Sequence, residues 1–241
     1  MKHLLAAILI TGAFFGCNKQ IQAPVTYNNS NPPTPPVVAT DNLTYLALGD
    51  SYTIGEAVNA TQSYPYQLAA QLTQAGHITA NPTIVARTGW TTDELINAIN
   101  ASGTAGKKYS IVTLLIGVNN QYRGYSKAVY RSEFAKLLST AIDYANGDKA
   151  HVFVISIPNW GLTPFASGYD RKTIGDDVEQ FNLINKDETN KQGVAWVDIG
   201  PAYSKTSTDA TLTAGDGLHP AAGMYSLWVQ ALAPVVLSNL K

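Results

Sequence analysis

Short apolar runs alternate with longer helix-like segments from residue 43 to the end of the chain. Parallel strands need a crossover long enough to hold a helix, so this alternation is typical of a parallel sheet. Strands buried on both faces are continuously apolar, as residues 110–116 and 151–157 are. The pattern predicts an α/β domain whose five parallel strands lie at residues 44–49, 83–87, 110–116, 151–157 and 194–199.

The helix-like segments separate and follow these strands. They are predicted at residues 64–75, 92–101, 126–146, 176–191 and 222–240. The third has the clearest 3.6-residue apolar period, and Gly147 follows it as a helix stop. Thr91 or Thr92 is available to cap the second. Pro234 lies inside the last, where the missing N–H predicts a kink or a split.

The N-terminus has the pattern of a targeting segment. Lys2 supplies a positive charge, and residues 4–15 form an apolar run too short to span a bilayer as a helix. Together with Gly16 and Cys17 this resembles a bacterial lipoprotein signal, which implies removal of residues 1–16 and a lipid on Cys17. Phe14 stands where the lipoprotein pattern prefers leucine, and an ordinary secretory signal is the alternative.

The segment after the signal predicts a tether. Residues 17–42 begin with the lipidated Cys17, are rich in Pro and Asn, and have no apolar period, so they are expected to be extended. Residues 43–241 form the folded domain. The predicted location is the cell envelope, with the protein lipid-anchored to a bacterial membrane, the outer membrane by preference, and otherwise periplasmic or secreted.

Charge and cysteine content exclude several classes of function. The net charge is −1 and the Lys and Arg residues do not cluster, whereas a nucleic-acid groove needs a basic stripe. Cys17 is the single cysteine, which excludes an intramolecular disulfide and a metal site made of several thiolates. The composition gives no indication of the oligomeric state.

Gly49-Asp50-Ser51 begins at the last residue of the first predicted strand and places Ser51 just beyond its end. In open α/β folds ligands bind at the carboxyl ends of the strands, so a serine at this position faces a substrate site. A serine hydroxyl is an effective nucleophile only with a base, a group that orients the base and donors for the oxyanion. Ser51 is therefore a candidate nucleophile, and the rest of the chain is expected to supply its partners.

His219 is the candidate base. It lies in a glycine-rich stretch before the last helix, and Asp216, three residues earlier, can reach its Nδ1 across a turn. The other histidines are placed less well: His3 is in the signal, His77 follows a helix-ending glycine and His151 opens a strand. The alternatives are a capping aspartate with a surface histidine, or two ligands of a metal ion for which no further ligand is evident.

Oxyanion donors are expected at the ends of the neighbouring strands. Gly89 follows the second strand, and a residue without Cβ lets a backbone N–H approach a ligand closely. Asn119 follows the third strand, and its amide can donate to an oxyanion. Taken singly, each residue could equally be part of an ordinary turn.

These motifs together, Ser51, Gly89, Asn119 and Asp216-x-x-His219 in that order, resemble those of the SGNH hydrolases, the GDSL-type esterases. The resemblance spans about residues 43–241 and implies a flavodoxin-like, three-layer α/β/α sandwich with a five-stranded parallel sheet. It also implies catalysis without a metal or cofactor. Ser51 attacks, His219 takes its proton and Asp216 orients His219. The Ser51 and Gly89 N–H groups and the Asn119 amide hold the oxyanion.

Asn120 departs from this family pattern, which has an aspartate after the asparagine. Asparagine keeps the size and one acceptor but loses the charge. We expect the change to alter how Asn119 is held or the local balance of pKa values, without abolishing activity.

Aromatic residues close to the strand ends are predicted to bind substrate: Tyr52, Trp90, Tyr122 and Trp160. Their rings suit a sugar ring or an acyl chain, or they cap the core and keep water out. Arg123 is the nearby cation, which can meet a substrate carboxylate or pair locally. The connection at residues 158–174 is long for a strand-to-helix loop, so we expect it to form a wall of the site.

The sequence therefore predicts a serine ester hydrolase that acts through an acyl-serine intermediate on a small-molecule or carbohydrate ester, with acetyl esters of carbohydrates preferred. One alternative is a lysophospholipase or thioesterase for longer acyl chains. Another is a non-catalytic carbohydrate-binding lipoprotein on the same fold. A phosphate or flavin site is a further alternative, because a helix N-terminus can hold phosphate, although the loop after the first strand lacks a Gly-Lys-Ser/Thr motif.

Overall fold

The computed structural model describes residues 42–240 and contains a five-stranded sheet. The strands are β1 (Tyr45–Asp50), β2 (Thr83–Arg87), β3 (Ile111–Leu115), β4 (Val152–Ile155) and β5 (Ala195–Val197). All neighbouring strands pair in parallel, in the order β2-β1-β3-β4-β5. This is the flavodoxin-like order, so the predicted α/β fold with five parallel strands is confirmed.

Helices connect and follow the strands. Within residues 42–240 they are α1 (Ser51–Ile54), α2 (Tyr64–Gln74), α3 (Thr92–Ala101), α4 (Val118–Tyr122), α5 (Lys127–Tyr144), α6 (Arg171–Gln192), α7 (Gly200–Tyr203) and α8 (Ala222–Asn239). α2 packs against α8, whereas α3, α5 and α6 form a second group. Because crossovers are right-handed and the strand order reverses at β1, the two groups cover opposite faces of the sheet. This gives the predicted three-layer sandwich.

The central strands are buried along their whole length. β1, β3 and β4 expose no residue, whereas the edge strands β2 and β5 are only partly buried. The register brings the strand ends together, because Asp50 pairs with Arg87 and Gly49 pairs with Leu115. The segments that leave β1, β2 and β3 therefore emerge side by side at one edge of the sheet.

Helix α6 begins earlier than the sequence pattern indicated. The prediction placed its start at residue 176, but the helix begins at Arg171. The side chain of Asp170 accepts hydrogen bonds from the backbone N–H groups of Lys172 and Thr173, at 3.1 and 3.2 Å. Because this cap satisfies the first turn, the end of the predicted loop is helical.

Helix α8 is continuous through Pro234, so of the predicted kink or split the split is wrong. Proline removes one backbone hydrogen bond from a helix interior, which normally disrupts the helix. Here the helix buries Trp228, Leu232 and Val236 against the core. Most helical stability in proteins comes from such packing, and the packing outweighs the missing bond.

Several predictions fall on the part of the chain before residue 42. The signal segment, the lipid on Cys17 and nearly all of the tether lie outside residues 42–240 and stay predictions from the sequence. Leu43 forms a β-bridge with Thr79. Among the helices that the structure describes, none has both the length and the apolar character needed to cross a membrane.

Candidate active site

Ser51 is the first residue of α1, directly after the end of β1. The corner before it is too tight for a side chain at residue 49. A Cβ on Gly49 would lie 2.1 Å from Thr53 Oγ1 and 2.4 Å from the carbonyl oxygen of Leu115. The sharp corner presents Ser51 at the edge of the sheet, where the residue is 4% exposed.

Asp50 shapes this corner. Its Oδ1 accepts a hydrogen bond from the backbone N–H of Tyr52 at 3.0 Å, which caps α1. The side chain is fully buried, and Oδ2 has no hydrogen-bond partner among the described residues. Burial raises the pKa of Asp50 from 3.8 to about 7, against the lowering effect of the bond from Tyr52. At neutral pH this carboxyl group is therefore close to half protonated.

Asp216 and His219 form the predicted pair. Asp216 Oδ2 lies 2.6 Å from His219 Nδ1, and Oδ1 accepts the backbone N–H groups of Leu218 and His219 at 2.9 and 3.0 Å. Partial burial opposes ionisation, but these hydrogen bonds keep the pKa of Asp216 below its usual value. The ionised carboxylate holds the proton of the neutral imidazole on Nδ1, so Nε2 is left as the basic atom. Within residues 42–240, no three His, Cys, Asp or Glu side chains are grouped as metal ligands would be.

The His219 ring is fixed from several directions. The ring of Tyr52 packs against it with a centroid distance of 5.2 Å. The Ala214 N–H donates to the His219 carbonyl oxygen at 2.8 Å, which closes the turn. Ser51 and His219 line the same cleft, and the structure records no direct hydrogen bond between their side chains. Such bonds are often long before substrate binds and shorten in the reacting complex.

Besides Ser51, the two other predicted oxyanion donors, Gly89 and Asn119, reach the same cleft. Gly89 has φ +85°, which favours glycine, and its N–H donates to no protein acceptor in the described part of the chain. Asn119 Nδ2 donates to the Trp90 carbonyl oxygen at 3.0 Å. This bond uses one of the two amide hydrogens and fixes the side chain, so the second hydrogen remains for an oxyanion.

Two of the predicted substrate-binding residues, Trp90 and Arg123, do not line the cleft. Trp90 packs against the hydrophobic core. Arg123 Nη2 donates to the Gly89 carbonyl oxygen at 2.6 Å, and Nη1 lies 3.3 Å from Glu94 Oε2. The guanidinium therefore braces the Gly89 turn.

The cleft has a volume of about 160 Å³ and brings together most of the predicted site residues. It is lined by Ser51, Tyr52, Thr88, Gly89, Val118, Asn119, Tyr122, Trp160, Phe165, Leu218 and His219. Trp160 and Phe165 come from the long loop, which forms a wall as predicted. Four of the lining residues were not predicted individually from the sequence: Thr88, Val118, Phe165 and Leu218. Three of them adjoin predicted site residues in sequence, and that adjacency was the available signal.

Asn120 has a structural role behind the site. Its Oδ1 accepts the backbone N–H of Thr92 at 3.1 Å, and its Nδ2 donates to Thr92 Oγ1 at 2.7 Å. Thr92 Oγ1 in turn donates to Glu133 Oε2. A hydroxyl has one hydrogen to donate, and Glu133 already takes it. The asparagine amide suits this arrangement because it donates where an aspartate could only accept.

A family model supports the assignment of the fold. The model described as the GDSL-like Lipase/Acylhydrolase family matches residues 47–227, well over half of the chain. The match includes Ser51, Gly89, Asn119, Asp216 and His219 within its bounds. No curated protein sequence matches the chain.

Solved structures share the fold at low sequence identity. TesA is 18% identical with a TM-score of 0.64, over 82% of this chain and 99% of its own. The psychrotrophic esterase EstA from Pseudoalteromonas sp., in a structure inhibited by monoethylphosphonate, is 12% identical with a TM-score of 0.63, over 82% and 98%. Axe2, an acetylxylan esterase from Geobacillus stearothermophilus, is 16% identical with a TM-score of 0.63, over 83% and 96%.

Proposed function

The chain belongs to the GDSL-like lipase/acylhydrolase family, and we propose that it is a serine ester hydrolase that removes short acyl groups, acetyl above all, from carbohydrates. One observation carries the proposal. Ser51, Gly89, Asn119 and His219 converge on one cleft, and Asp216 holds His219 from behind at 2.6 Å. These residues come from four separate parts of the chain, so their meeting supports a shared role in acyl transfer.

Acylation begins at Ser51. His219 Nε2 takes the hydroxyl proton while Ser51 Oγ attacks the ester carbonyl carbon, and Asp216 stabilises the imidazolium that forms. The negative charge moves to the carbonyl oxygen, where the N–H groups of Ser51 and Gly89 and the Asn119 amide receive it. The C–O bond to the alcohol then breaks, and His219 returns its proton to the leaving oxygen. The products are a free alcohol and acyl-Ser51.

Deacylation uses the same groups in reverse. His219 Nε2 takes a proton from water, and the resulting hydroxide attacks the acyl carbon of acyl-Ser51. The same donors hold the second oxyanion. Collapse breaks the bond to Ser51 Oγ, which recovers its proton from His219. A carboxylic acid leaves, and the free serine is ready for another turnover.

The size of the cleft supports a small acyl group. Pockets for drug-sized ligands usually measure about 300–1,000 Å³. The cleft here is about 160 Å³, which favours acetyl over a long acyl chain. The exposed rings of Tyr122 and Phe165 at its mouth favour a leaving group with an apolar face and polar edges, as a sugar has.

An ester panel tests this proposal. The panel runs from p-nitrophenyl acetate to p-nitrophenyl palmitate and includes O-acetylated sugars. We expect kcat/KM to be highest for acetyl esters and to fall steeply with chain length. Ser51→Ala should lose at least about 10³-fold in kcat, because removal of the nucleophile leaves only oxyanion and binding effects. Near-normal turnover by Ser51→Ala would refute the nucleophile assignment.

A hydrolase for longer acyl chains, such as a lysophospholipase or thioesterase, is the second candidate. The observation in its favour is that apolar rings continue from the cleft to the surface, where a chain could lie. The same panel separates the two candidates. A kcat/KM that rises from acetyl to palmitoyl would favour the second one.

A non-catalytic binding protein on the same fold is a third candidate, and it has a separate test. Phosphonates form a covalent adduct with activated serines, and a phosphonate inhibits the structural relative EstA. A fluorophosphonate probe is expected to label Ser51 and to spare Ser51→Ala, as read by mass spectrometry. Lack of labelling of the native protein would favour the binding protein.

We further propose that this activity is located at the cell envelope, with a lipid on Cys17. The support is the N-terminal pattern of Lys2, an apolar run and Gly16-Cys17. Because a single acyl chain binds membranes only marginally, stable anchoring needs more than one chain. Labelling with radioactive palmitate in a bacterial host is expected for the native protein and should be lost in Cys17→Ser. Equal labelling of both would rule out lipidation at this residue.

A further inference from the structure

Exposed aromatic side chains are concentrated at one side of the cleft. In the described residues six large apolar side chains are strongly exposed, and three of them are Tyr122 at 50%, Phe165 at 39% and Tyr169 at 50%. The other three, Ile78, Val129 and Leu183, do not line the cleft. Clustered apolar exposure marks a binding surface more often than scattered exposure does.

The three rings are held by one buried ring. Trp160, which is 4% exposed, packs edge-on against Tyr122, Phe165 and Tyr169 with centroid distances of 5.4, 6.0 and 5.3 Å. Trp160 Nε1 donates to Gln121 Oε1 at 2.7 Å, so the indole ring has little freedom to move. We name the surface formed by Tyr122, Phe165 and Tyr169 on Trp160 the aromatic platform.

The aromatic platform is continuous with the catalytic cleft. Tyr122, Trp160 and Phe165 line the cleft, and Tyr169 extends the surface outward, its ring 6.2 Å from that of Phe165 and nearly parallel to it. The backbone also joins the two sites. The Phe165 N–H donates to the Gly217 carbonyl oxygen at 2.8 Å, inside the turn that carries Asp216 and His219.

The exposure of the platform distinguishes between two kinds of ligand. An acyl chain gains affinity by leaving water, so it needs an enclosed channel. On rings that are 39–50% exposed, one side of the chain would stay in water. A sugar ring presents C–H groups on its face and hydroxyls at its edge, so it can stack on an aromatic ring and remain hydrated. The sugar is expected to be neutral. Arg123, the cation that could pair with an acidic sugar, is already bound to the Gly89 carbonyl oxygen and to Glu94.

We propose that the aromatic platform is a binding subsite for a neutral sugar unit of the leaving group, adjacent to the unit whose ester is cleaved. Phe165 and Tyr169 provide the stacking faces, and Trp160 positions them. The substrate would then be an O-acetylated oligo- or polysaccharide rather than an acetylated monosaccharide. This inference rests on the proposed esterase function and adds a subsite to it.

The test compares two substrates that share the acetyl group and differ in the leaving group. The readout is kcat/KM for O-acetylated xylotetraose divided by kcat/KM for p-nitrophenyl acetate. We expect Tyr169→Ala and Phe165→Ala to lower this ratio about three- to tenfold, because each removes one stacking face. Tyr169→Phe should keep the ratio close to that of the native protein, since phenylalanine retains the aromatic ring. Leu183→Ala, an exposed apolar residue of α6 away from the platform, is the matched control and should leave the ratio unchanged.

Binding is measured separately from catalysis. Titration calorimetry of Ser51→Ala with unacetylated xylotetraose should show binding that weakens about three- to tenfold when Tyr169→Ala is added. Platform-dependent binding without any esterase activity in the native protein would support the subsite and overturn the proposed function. Ser51-dependent hydrolysis of p-nitrophenyl acetate with a ratio unchanged by both alanine variants would overturn the subsite and leave the esterase. A selective loss on p-nitrophenyl palmitate would also overturn it, because the platform would then hold an acyl chain.

Discussion

At the scale of single residues, Asp50 caps a helix but lowers the free energy of unfolding when its buried carboxyl group ionises. Its Oδ1 caps α1 beside Ser51, while burial raises its pKa to about 7. An unfolded chain would release this proton near pH 3.8, so the folded protein binds it more tightly. Between these two pH values the free energy of unfolding therefore falls as the pH rises, and above about pH 7 this contribution is constant.

Asp50→Asn should remove this pH dependence. The amide oxygen can still accept the Tyr52 N–H, and the side chain no longer titrates. The free energy of unfolding of the variant, relative to the native protein, is expected to increase from pH 4 to pH 7 by up to about 4 kcal/mol. Urea unfolding at several pH values measures it, with the exposed Asp176→Asn as the control. A difference that does not change with pH would contradict a protonated Asp50.

Asn119→Ala tests one oxyanion donor. The amide is fixed by its bond to the Trp90 carbonyl, so it needs little reorganisation when charge develops on the substrate. We expect kcat to fall about 10²–10³-fold while KM for p-nitrophenyl acetate changes little. The circular dichroism spectrum of the variant should match that of the native protein. A loss of less than about fivefold in kcat would show that the backbone donors suffice.

At the scale of elements, α3 and α4 are joined through Asn120. The asparagine satisfies the first N–H of α3 and donates to the Thr92 hydroxyl, whose own hydrogen goes to Glu133 on α5. Three helices, of which α4 lines the cleft, thus meet at one chain of hydrogen bonds. Because Glu133 already accepts the Thr92 hydrogen, an amide donor suits residue 120 in this chain.

Asn120→Asp should destabilise the protein. The introduced carboxylate would face Thr92 Oγ1 without a hydrogen between them, and burial would add to the cost. We expect the free energy of unfolding to fall by about 1–3 kcal/mol. Adding Glu133→Gln should recover much of this loss, because the glutamine amide can donate to Thr92 and so frees the Thr92 hydrogen for the introduced carboxylate.

A double-mutant cycle measures this coupling by urea unfolding of the four proteins. A coupling energy near zero between Asn120→Asp and Glu133→Gln would contradict the explanation. The site itself provides a second readout, since Asn119 is next in sequence. If the strain stays local to α3, the change in activation free energy, calculated from kcat for p-nitrophenyl acetate, should be smaller than the change in the free energy of unfolding.

At the scale of the whole molecule, Trp228 connects the last helix to the active site. Its ring lies 5.2–6.3 Å from the rings of Tyr52, Tyr64, Tyr203 and Tyr225. Tyr52 in turn packs against His219. Helix α8 therefore both covers one face of the sheet and supports His219 from the core side.

Trp228→Ala should reduce stability and activity together. Truncating a fully buried tryptophan typically costs about 3–5 kcal/mol in the free energy of unfolding. We also expect kcat to fall, because Tyr52 loses the packing that holds it against His219. Thermal unfolding and p-nitrophenyl acetate hydrolysis measure the two effects. Trp196→Ala, a half-buried tryptophan on the edge strand β5, is the control and should lower only the stability, by a smaller amount.

The elements that the sequence predicted best have both strong periods and local end signals. β2 and α3 have the predicted bounds, and Thr91 caps α3. The start of α6 was missed because its apolar period begins later than the cap at Asp170. The short helices α1, α4 and α7 were missed because four or five residues carry no period.

The sequence by itself determined the fold class and the chemical types at the site. Hydrophobic period and burial set the parallel sheet. The corner at Gly49 and the Asp216–His219 turn are local motifs, and their order along the chain, which resembles that of the GDSL-type esterases, identified the candidate site residues. Only the tertiary structure decided which side chains face the cleft. Arg123 and Trp90 follow strand ends in sequence but turn to Gly89 and the core, whereas Phe165 and Tyr169 from a distant loop stand at the mouth. The direction of each of these side chains depends on packing between elements far apart in the chain, which no local sequence pattern encodes.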